Sequence, residues 1–333
     1  MHSTPLLTLT QFVLESQPAH ASGDLTLVLS ALQTACKRIA SLVRRVGLLQ
    51  LTGLAGSANA SNDDMKKLDV LSNDIVIDAL RGCGRVAGVC SEEEESYISF
   101  GAGGKYVVVT DPLDGSSNID CNVSVGSIIG IYARPAAEAA APSSAADVLQ
   151  PGRALVCAAY CMYGSATDLV LNLGVGAGVH AFSLDPAIGE FLMTRRDIKI
   201  PAAAQRIYSI NEGNARTFSP GVKAFLEHAK AGEKPYSARY TGSMVADVHR
   251  TLLYGGIFIY PASSSAPSGK LRLLYEVNPM ARIFEESGGR AICAAGASPL
   301  DLVPATLHQR APCILGCARD VDMLEAMLAA EAK

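Results

Sequence analysis

Residues 106–120 read Tyr-Val-Val-Val-Thr-Asp-Pro-Leu-Asp-Gly-Ser-Ser-Asn-Ile-Asp. The apolar run 106–110 predicts a buried strand, and Asp111 and Asp114 follow it directly, three positions apart. Pro112 keeps Asp111 extended at the strand's end, and Gly115 lets the backbone bend tightly and approach a ligand closely. Ser116 and Ser117 then stand at a predicted helix start, where hydroxyls and free backbone N–H groups receive a phosphate. An isolated Asp-x-x-Asp pair is usually a capped turn. Carboxylate, Pro, Gly and paired Ser in this order after a buried strand point instead to the beginning of a phosphoryl-transfer metal site.

Upstream, Arg85 to Cys90 predicts a short buried strand that delivers Ser91 and the acids Glu92, Glu93, Glu94 and Glu95. Two acidic clusters thus follow strands, the usual place for ligand sites in α/β sheets. Four successive acids also suit a solvated turn, and a metal site needs only the first one or two. Asp63 and Asp69, flanking Lys66-Lys67, add two candidates. Leu25, Val28, Leu29, Leu32, Cys36, Ile39, Leu42, Val43 and Val46 recur at helical spacing up to Gly47, with Lys37, Arg38, Arg44 and Arg45 leaning to solvent. Residues 51–66 are rich in Gly, Ser, Asn and Asp and read as a loop; a second helix follows through Leu68, Leu71, Ile75 and Leu80 to Gly82.

Residues 135–152 are an Ala/Ser/Pro-rich surface excursion, strands crowd 154–194, and a lobe boundary is expected near 200, dividing 1–200 from 201–333. In the second lobe, 256–260 and 271–275 read as strands, and Asn278-Pro279 starts a helix that stops at Gly288. A strand's period of two places Lys270, Arg272, Leu274 and Glu276 on one face, where two cations suit phosphate and the carboxylate suits metal. On these residues alone, edge-strand charges that keep a sheet soluble are the better reading.

With 333 residues, 49% of them hydrophobic, the chain buries a large core. A net charge of -4 provides no global basic field, so nucleic acid is not an expected partner. Nine scattered cysteines, an odd number without C-x-x-C pairs, predict reduced thiols in an intracellular compartment. Cys157 and Cys161 read as buried packing, and zinc is not indicated. Residues 154–182 carry only Asp168 as a charge, yet Gly164, Gly174, Gly176 and Gly178 break them into strand lengths, so no membrane span is expected. The N-terminus lacks a signal-peptide pattern and the sequence ends Ala332-Lys333. A cytoplasmic protein is expected; one further Leu would create a variant of the Ser-Lys-Leu address of a peroxisome-like organelle. Carboxylates gathered from distant segments suit hard cations, Mg²⁺ with Mn²⁺ as alternative, two or more per subunit. Without metal they repel one another and their pKa values rise.

Residues 66–74, Ser91-Glu92-Glu93, the stretch 111–120, Asn211-Glu212-Gly213, Ala238-Arg239-Tyr240 and residues 270–276 closely resemble the class I fructose-1,6-bisphosphatase family across about residues 22–324. That family sits in the lithium-sensitive, metal-dependent sugar and inositol phosphatase superfamily, whose inositol branch typically has a Trp-Asp metal motif where this chain has Tyr275-Glu276-Val277-Asn278-Pro279. The resemblance implies an α/β (α+β) layered sandwich of alternating helix and sheet layers, the sugar phosphatase fold, in a homotetramer. It implies hydrolysis of the 1-phosphate of fructose 1,6-bisphosphate, as in gluconeogenesis. Glu92, Glu93, Asp111, Asp114, Glu276 and the Leu113 carbonyl look like metal ligands. By that resemblance Asp63 and Asp69 lie in the catalytic loop and its support, Asp69 and Glu93 are expected to receive the proton of attacking water, and Gly115, Ser116 and Ser117 are expected to face the phosphoryl group.

By the same resemblance, Asn211, Tyr240, Tyr260, Lys270 and Arg272 look like the pocket for the remote phosphate, and Arg239 like a residue reaching into a neighbouring subunit. Asn214 stands where relatives often have Tyr. Ser22, Gly23, Asp24, Leu25 and Thr26, with Lys105 and Tyr106, are similar to an inhibitory AMP site at a helix start; an ordinary helix cap is the plainer reading. Ala133 replaces an Arg of that site and Arg134 follows, on the opposite strand face. Thiol switching is not expected. Alternative readings are another substrate of the same class, such as sedoheptulose 1,7-bisphosphate or an inositol phosphate, and a catalytically silent metabolite sensor.

Overall fold

Alternation of apolar side chains along the strands decides the architecture. In the strand Tyr106–Asp114, Val107 and Val109 enter one core while Val108 enters another, as a period of two requires of a sheet covered on both faces. The computed structural model describes residues 7–18, 20–58, 64–135, 140–293 and 296–331. Its larger sheet has eight strands, running from the edge Glu190–Arg195 through His180–Asp185, Thr167–Asn172, Leu155–Tyr163, Val125–Ala133, Tyr106–Asp114 and Val86–Ser91 to Ile98–Ser99. Within it only Val86–Ser91 and Tyr106–Asp114 are parallel neighbours. A five-stranded sheet follows in the order Ser237–Ala238, Ile207–Ser209, Ile257–Tyr260, Cys313–Gly316, Arg290–Ile292.

One face of the large sheet is covered by the helices Leu9–Ser16, Asp24–Val43 and Lys67–Gly82, through Phe12, Val28, Ile39, Leu68 and Leu80. The other face packs on the helices Met244–Tyr254 and Asn278–Glu286, which are sandwiched against the smaller sheet through Val248, Phe284, Phe258 and Leu315. Ile257 and Ile259 point the opposite way from Phe258 and bury the helices Pro220–Lys230 and Ala318–Glu331 through Phe225 and Leu324. Helix, sheet, helix, sheet and helix layers therefore alternate, an α/β layered sandwich. Each fully buried Phe or Leu in these seams contributes about 1.5–3 kcal/mol.

Several expectations need correction. The long helix ends at Val43, not near Gly47, and residues 44–50 continue as turns. Residues 51–66 are not simply a loop: Leu54–Ala58 and Asp64–Lys66 pair as an antiparallel ribbon. The excursion 135–152 is anchored inside, since Ser143, Asp147 and Val148 are buried and Asp147 pairs with Arg134 at 3.3 Å. Pro112 lies within a strand that runs on to Asp114, with its register shifting between Asp111 and Asp114. Finally, 271–275 is not one strand: only Leu271–Arg272 pairs, and the π-helical turn Leu273–Val277 leads directly into the helix Asn278–Glu286. A shared strand face for Lys270, Arg272 and Glu276 is thereby excluded.

Candidate active site

The register shift in Tyr106–Asp114 turns Asp111 and Asp114 toward the same cleft. The carbonyl of Pro112, between them, accepts from Ser127 Oγ at 2.7 Å, and Ser127 in turn is 2.8 Å from the Tyr163 hydroxyl; this buried chain holds the shifted backbone. The π-helical turn brings in Glu276, whose Oε2 accepts from the Arg272 backbone N–H at 2.6 Å. Asp111, Asp114 and Glu276 are all buried, and one carboxylate oxygen from each lies within 4.8 Å of the others. Burial raises all three pKa values and neighbouring carboxylates add to the rise: Asp114 to about 6, Glu276 to about 8, and Asp111 well above its usual range.

Around this triad a cleft of about 270 Å³ also takes in Lys66, Asp69, Glu92, Glu93, Leu113, Gly115, Ser116, Ser117 and Arg272. Arg272 bridges two acids, 2.8 Å from Glu92 and 3.8 Å from Glu276. Asp69 accepts from the Lys66 backbone N–H at 2.7 Å and so caps its own helix. Among the described residues, its other oxygen, Oδ1, and Oε2 of Glu93 are buried with no hydrogen-bond partner. Burial pushes Asp69 up to about 6, and burial followed by Asp69 and Glu92 pushes Glu93 up to about 8. Unpartnered carboxylate oxygens beside mutually repelling acids fit a divalent cation and its waters, because hard cations take oxygen ligands and retain water. Asp63 lies outside the described residues.

Asp114 has a second function that the sequence did not reveal. Its carboxylate accepts from Ser243 Oγ at 2.7 Å, Val245 N at 2.8 Å and Met244 N at 3.2 Å, capping the helix Met244–Tyr254 from a different sheet. Gly242-Ser243 ahead of a helical pattern was a readable start signal, but a cap supplied from 130 residues upstream in the chain leaves no local signature. Gly115, at φ +75°, packs against that start so closely that an added Cβ would lie 2.5 Å from Ser243 Cβ. Gly115→Ala is therefore expected to lower unfolding stability by about 2 kcal/mol or more, from left-handed backbone strain plus overpacking. Denaturant unfolding checks this, and a native-like midpoint would show that the loop yields freely.

Asp114 and Gly115 also line a second cavity with Tyr240, Gly242, Ser243, Tyr260 and Leu271. Tyr260 in turn lines a third, with Asn211, Asn214, Ser263, Ser265 and Lys270. Three cavities thus share walls, from the acids at one end to Lys270 at the other. Lys270 and Arg272, read as partners at one phosphate, are divided between the two ends. Arg239 lines none of the three; it is exposed and donates to its own neighbour's carbonyl, Ala238 O, at 2.9 Å.

At the start of the helix Asp24–Val43, Gly23 adopts φ +76°. Asp24 pairs with Arg85 at 2.7 Å and with Lys105, while Ser22 Oγ donates to Asp24 at 2.7 Å. The hydrogen bond from Lys105, then that from Ser22, holds the Asp24 carboxyl below its usual range. Tyr106 adjoins this cluster: burial and then Asp24 raise its pKa. Leu25 is half-buried, and the Thr26 hydroxyl is bonded to Gln17. Ala133 is exposed and the Arg134 side chain is buried beside Asp147.

Residues 7–196 match the family model described as Fructose-1-6-bisphosphatase, N-terminal domain, and residues 200–329 match its C-terminal domain. The chain is 49% identical to the cytosolic fructose-1,6-bisphosphatase of Arabidopsis thaliana, covering 100% of this chain and 97% of that protein. It is 50% identical to fructose-1,6-bisphosphatase 1 of Mus musculus, covering 96% and 94%. Among solved structures, the holo form of Leishmania major fructose-1,6-bisphosphatase superposes with a TM-score of 0.91 at 45% identity, covering 97% of this chain and 99% of that one. The T-state of the same enzyme superposes at 0.87, with 44% identity and the same coverage.

Proposed function

Because the chain belongs to the fructose-1,6-bisphosphatase family, it is a hydrolase of fructose 1,6-bisphosphate in gluconeogenesis, and we propose that its acidic cleft is where the 1-phosphate is cleaved. One observation carries this assignment. The cleft of Asp111, Asp114 and Glu276 is joined through Tyr240 and Tyr260 to the cavity of Asn211 and Lys270, which suits a sugar charged at both ends.

Glu92, Glu93, Asp111, Asp114, Glu276 and the Leu113 carbonyl would hold the metal, Mg²⁺ or Mn²⁺, two or more ions per subunit. When bound, the metal supplies Lewis-acid charge for the phosphoryl oxygens and lowers the pKa of water. Asp69 and Glu93 orient a water molecule with their unpartnered oxygens and accept its proton as it attacks phosphorus in line. Burial holds both groups above the usual carboxylate range, so each is a stronger base than an exposed carboxylate once the neighbouring cation favours its ionised form. Gly115, Ser116 and Ser117 offer backbone N–H and hydroxyl donors to the phosphoryl group. The bond from phosphorus to the sugar O1 breaks, O1 takes up a proton from solvent, and fructose 6-phosphate leaves. Asn211, Tyr240, Tyr260 and Lys270 seat the other phosphate, while Arg272 orders Glu92 and Glu276. Solvent-facing Arg239 is free to reach a neighbouring copy in a homotetramer.

AMP inhibits through residues 22–26 with Lys105 and Tyr106, without help from the inward-turned Arg134. The cytosolic names of the plant relatives support a cytoplasmic location. Phosphate release from fructose 1,6-bisphosphate, with and without Mg²⁺ and then across an AMP titration, tests the two halves separately. Metal-dependent release inhibited by AMP is expected. No Mg²⁺ dependence removes the cleft assignment, and no inhibition at millimolar AMP removes the regulatory one.

A further inference from the structure

The remote cavity contains a single charged side chain of this subunit, Lys270. A phosphate monoester carries a charge of about -1.5 to -2 at neutral pH and three acceptor oxygens, so Lys270, even joined by Arg239 of a neighbouring copy, leaves acceptor lone pairs to neutral donors. Part of the same lining is the turn between Pro261 and Pro267, where Ser263 and Ser265 line the cavity while Ser264, with Ser263 and Arg216, lines a neighbouring surface. This turn is fixed by Ser263 N–H to the Ala266 carbonyl at 3.1 Å, Gly269 N–H to the same carbonyl at 3.0 Å and Ser264 N–H to the Thr217 carbonyl at 3.0 Å.

Ser263 Oγ accepts from the Ala266 backbone N–H at 3.1 Å and lies 3.1 Å from Ser265 Oγ. Either hydroxyl can donate within this pair, and in the arrangement where Ser263 donates to Ser265 the Ser265 proton is left to donate outward; hydrogen bonds chained this way strengthen one another. The geometry points to Ser265 as a specificity-determining residue that donates to the remote phosphate of the substrate, with Ser263 as its positioning partner. This rests on the reading of the third cavity as that phosphate's seat. Exposed Ser265 has no structural burden beyond the turn, so its removal reads out on the ligand.

The test is steady-state phosphate release at saturating Mg²⁺ from fructose 1,6-bisphosphate and from fructose 1-phosphate, which lacks the remote phosphate. The proteins compared are the native one, Ser265→Ala and Ser265→Thr. Ser265→Ala is expected to raise KM for the bisphosphate about three- to tenfold, the net worth of an ordinary hydrogen bond at an exposed site. Its kcat and its action on fructose 1-phosphate should stay unchanged, and Ser265→Thr should restore the native KM. An unchanged bisphosphate KM in Ser265→Ala, or equal losses on both substrates, overturns the inference while leaving the cavity assignment intact. If the native protein itself treats the two substrates alike, the cavity assignment falls and the inference falls with it.

Discussion

Glu93→Gln is expected to lower kcat about 10²–10⁴-fold at saturating Mg²⁺, the usual worth of a positioned proton acceptor, and Asp69→Asn to lower it within the same range. Both replacements keep shape and packing and remove the charge that accepts the proton. Asp69→Asn keeps a carbonyl oxygen for the Lys66 backbone N–H, so the helix cap survives and the fold is not at issue. Both residues present a buried oxygen with no hydrogen-bond partner among the described residues, which is what a group awaiting a water molecule has to offer. The loss should fall on kcat, since neither side chain lines the cavities of the sugar or the remote phosphate. Near-normal turnover by either variant would exclude that residue from the proton-accepting role.

Metal-free protein should become less stable as pH rises from about 4 to about 8, and added Mg²⁺ should restore more stability at pH 8 than at pH 5. The direction follows from linkage. In the folded chain Glu93 and Glu276 titrate near 8, Asp69 and Asp114 near 6, all raised by burial before other causes. An unfolded chain releases the same protons near 4. Between these limits the folded form binds more protons than the unfolded one, so stability falls with rising pH through that window. One pKa unit is worth about 1.4 kcal/mol, and several interacting groups take part, so the effect amounts to several kcal/mol. A divalent cation favours the ionised carboxylates and opposes this loss. Thermal unfolding with EDTA or Mg²⁺ at pH 5 and pH 8 measures it. An equal Mg²⁺ shift at both values would mean that these acids do not bind the ion.

Local pattern made much of the fold legible. The strand 106–110, the helix ending at Gly82 and the strands of 154–194 announced themselves by period and by flanking Gly, because burial on one or both faces imposes those periods directly. Residues 271–275 misled for a physical reason: Leu-Arg-Leu-Leu-Tyr is rich in side chains that fill a core in any backbone, and π-helical turns have no composition of their own. The ribbon Leu54–Ala58 with Asp64–Lys66 was hidden by its Gly and Ser content, which reads as loop although backbone pairing needs no side chain. In the site, the acids were legible because few other purposes place so many carboxylates after buried strands. Their supports were not. Asp114 as the cap of Met244–Tyr254, Ser127 on the Pro112 carbonyl and the Arg272–Glu92 ion pair join residues distant in sequence and are set by tertiary packing.

The decisive measurement is anomalous diffraction at the manganese edge from crystals soaked in Mn²⁺. Manganese peaks in contact with the carboxylates of Asp111, Asp114 and Glu276 are predicted, and their loss is predicted in crystals of Asp111→Asn. Peaks confined to other acids, with these three carboxylates bare, would contradict the account of the cleft.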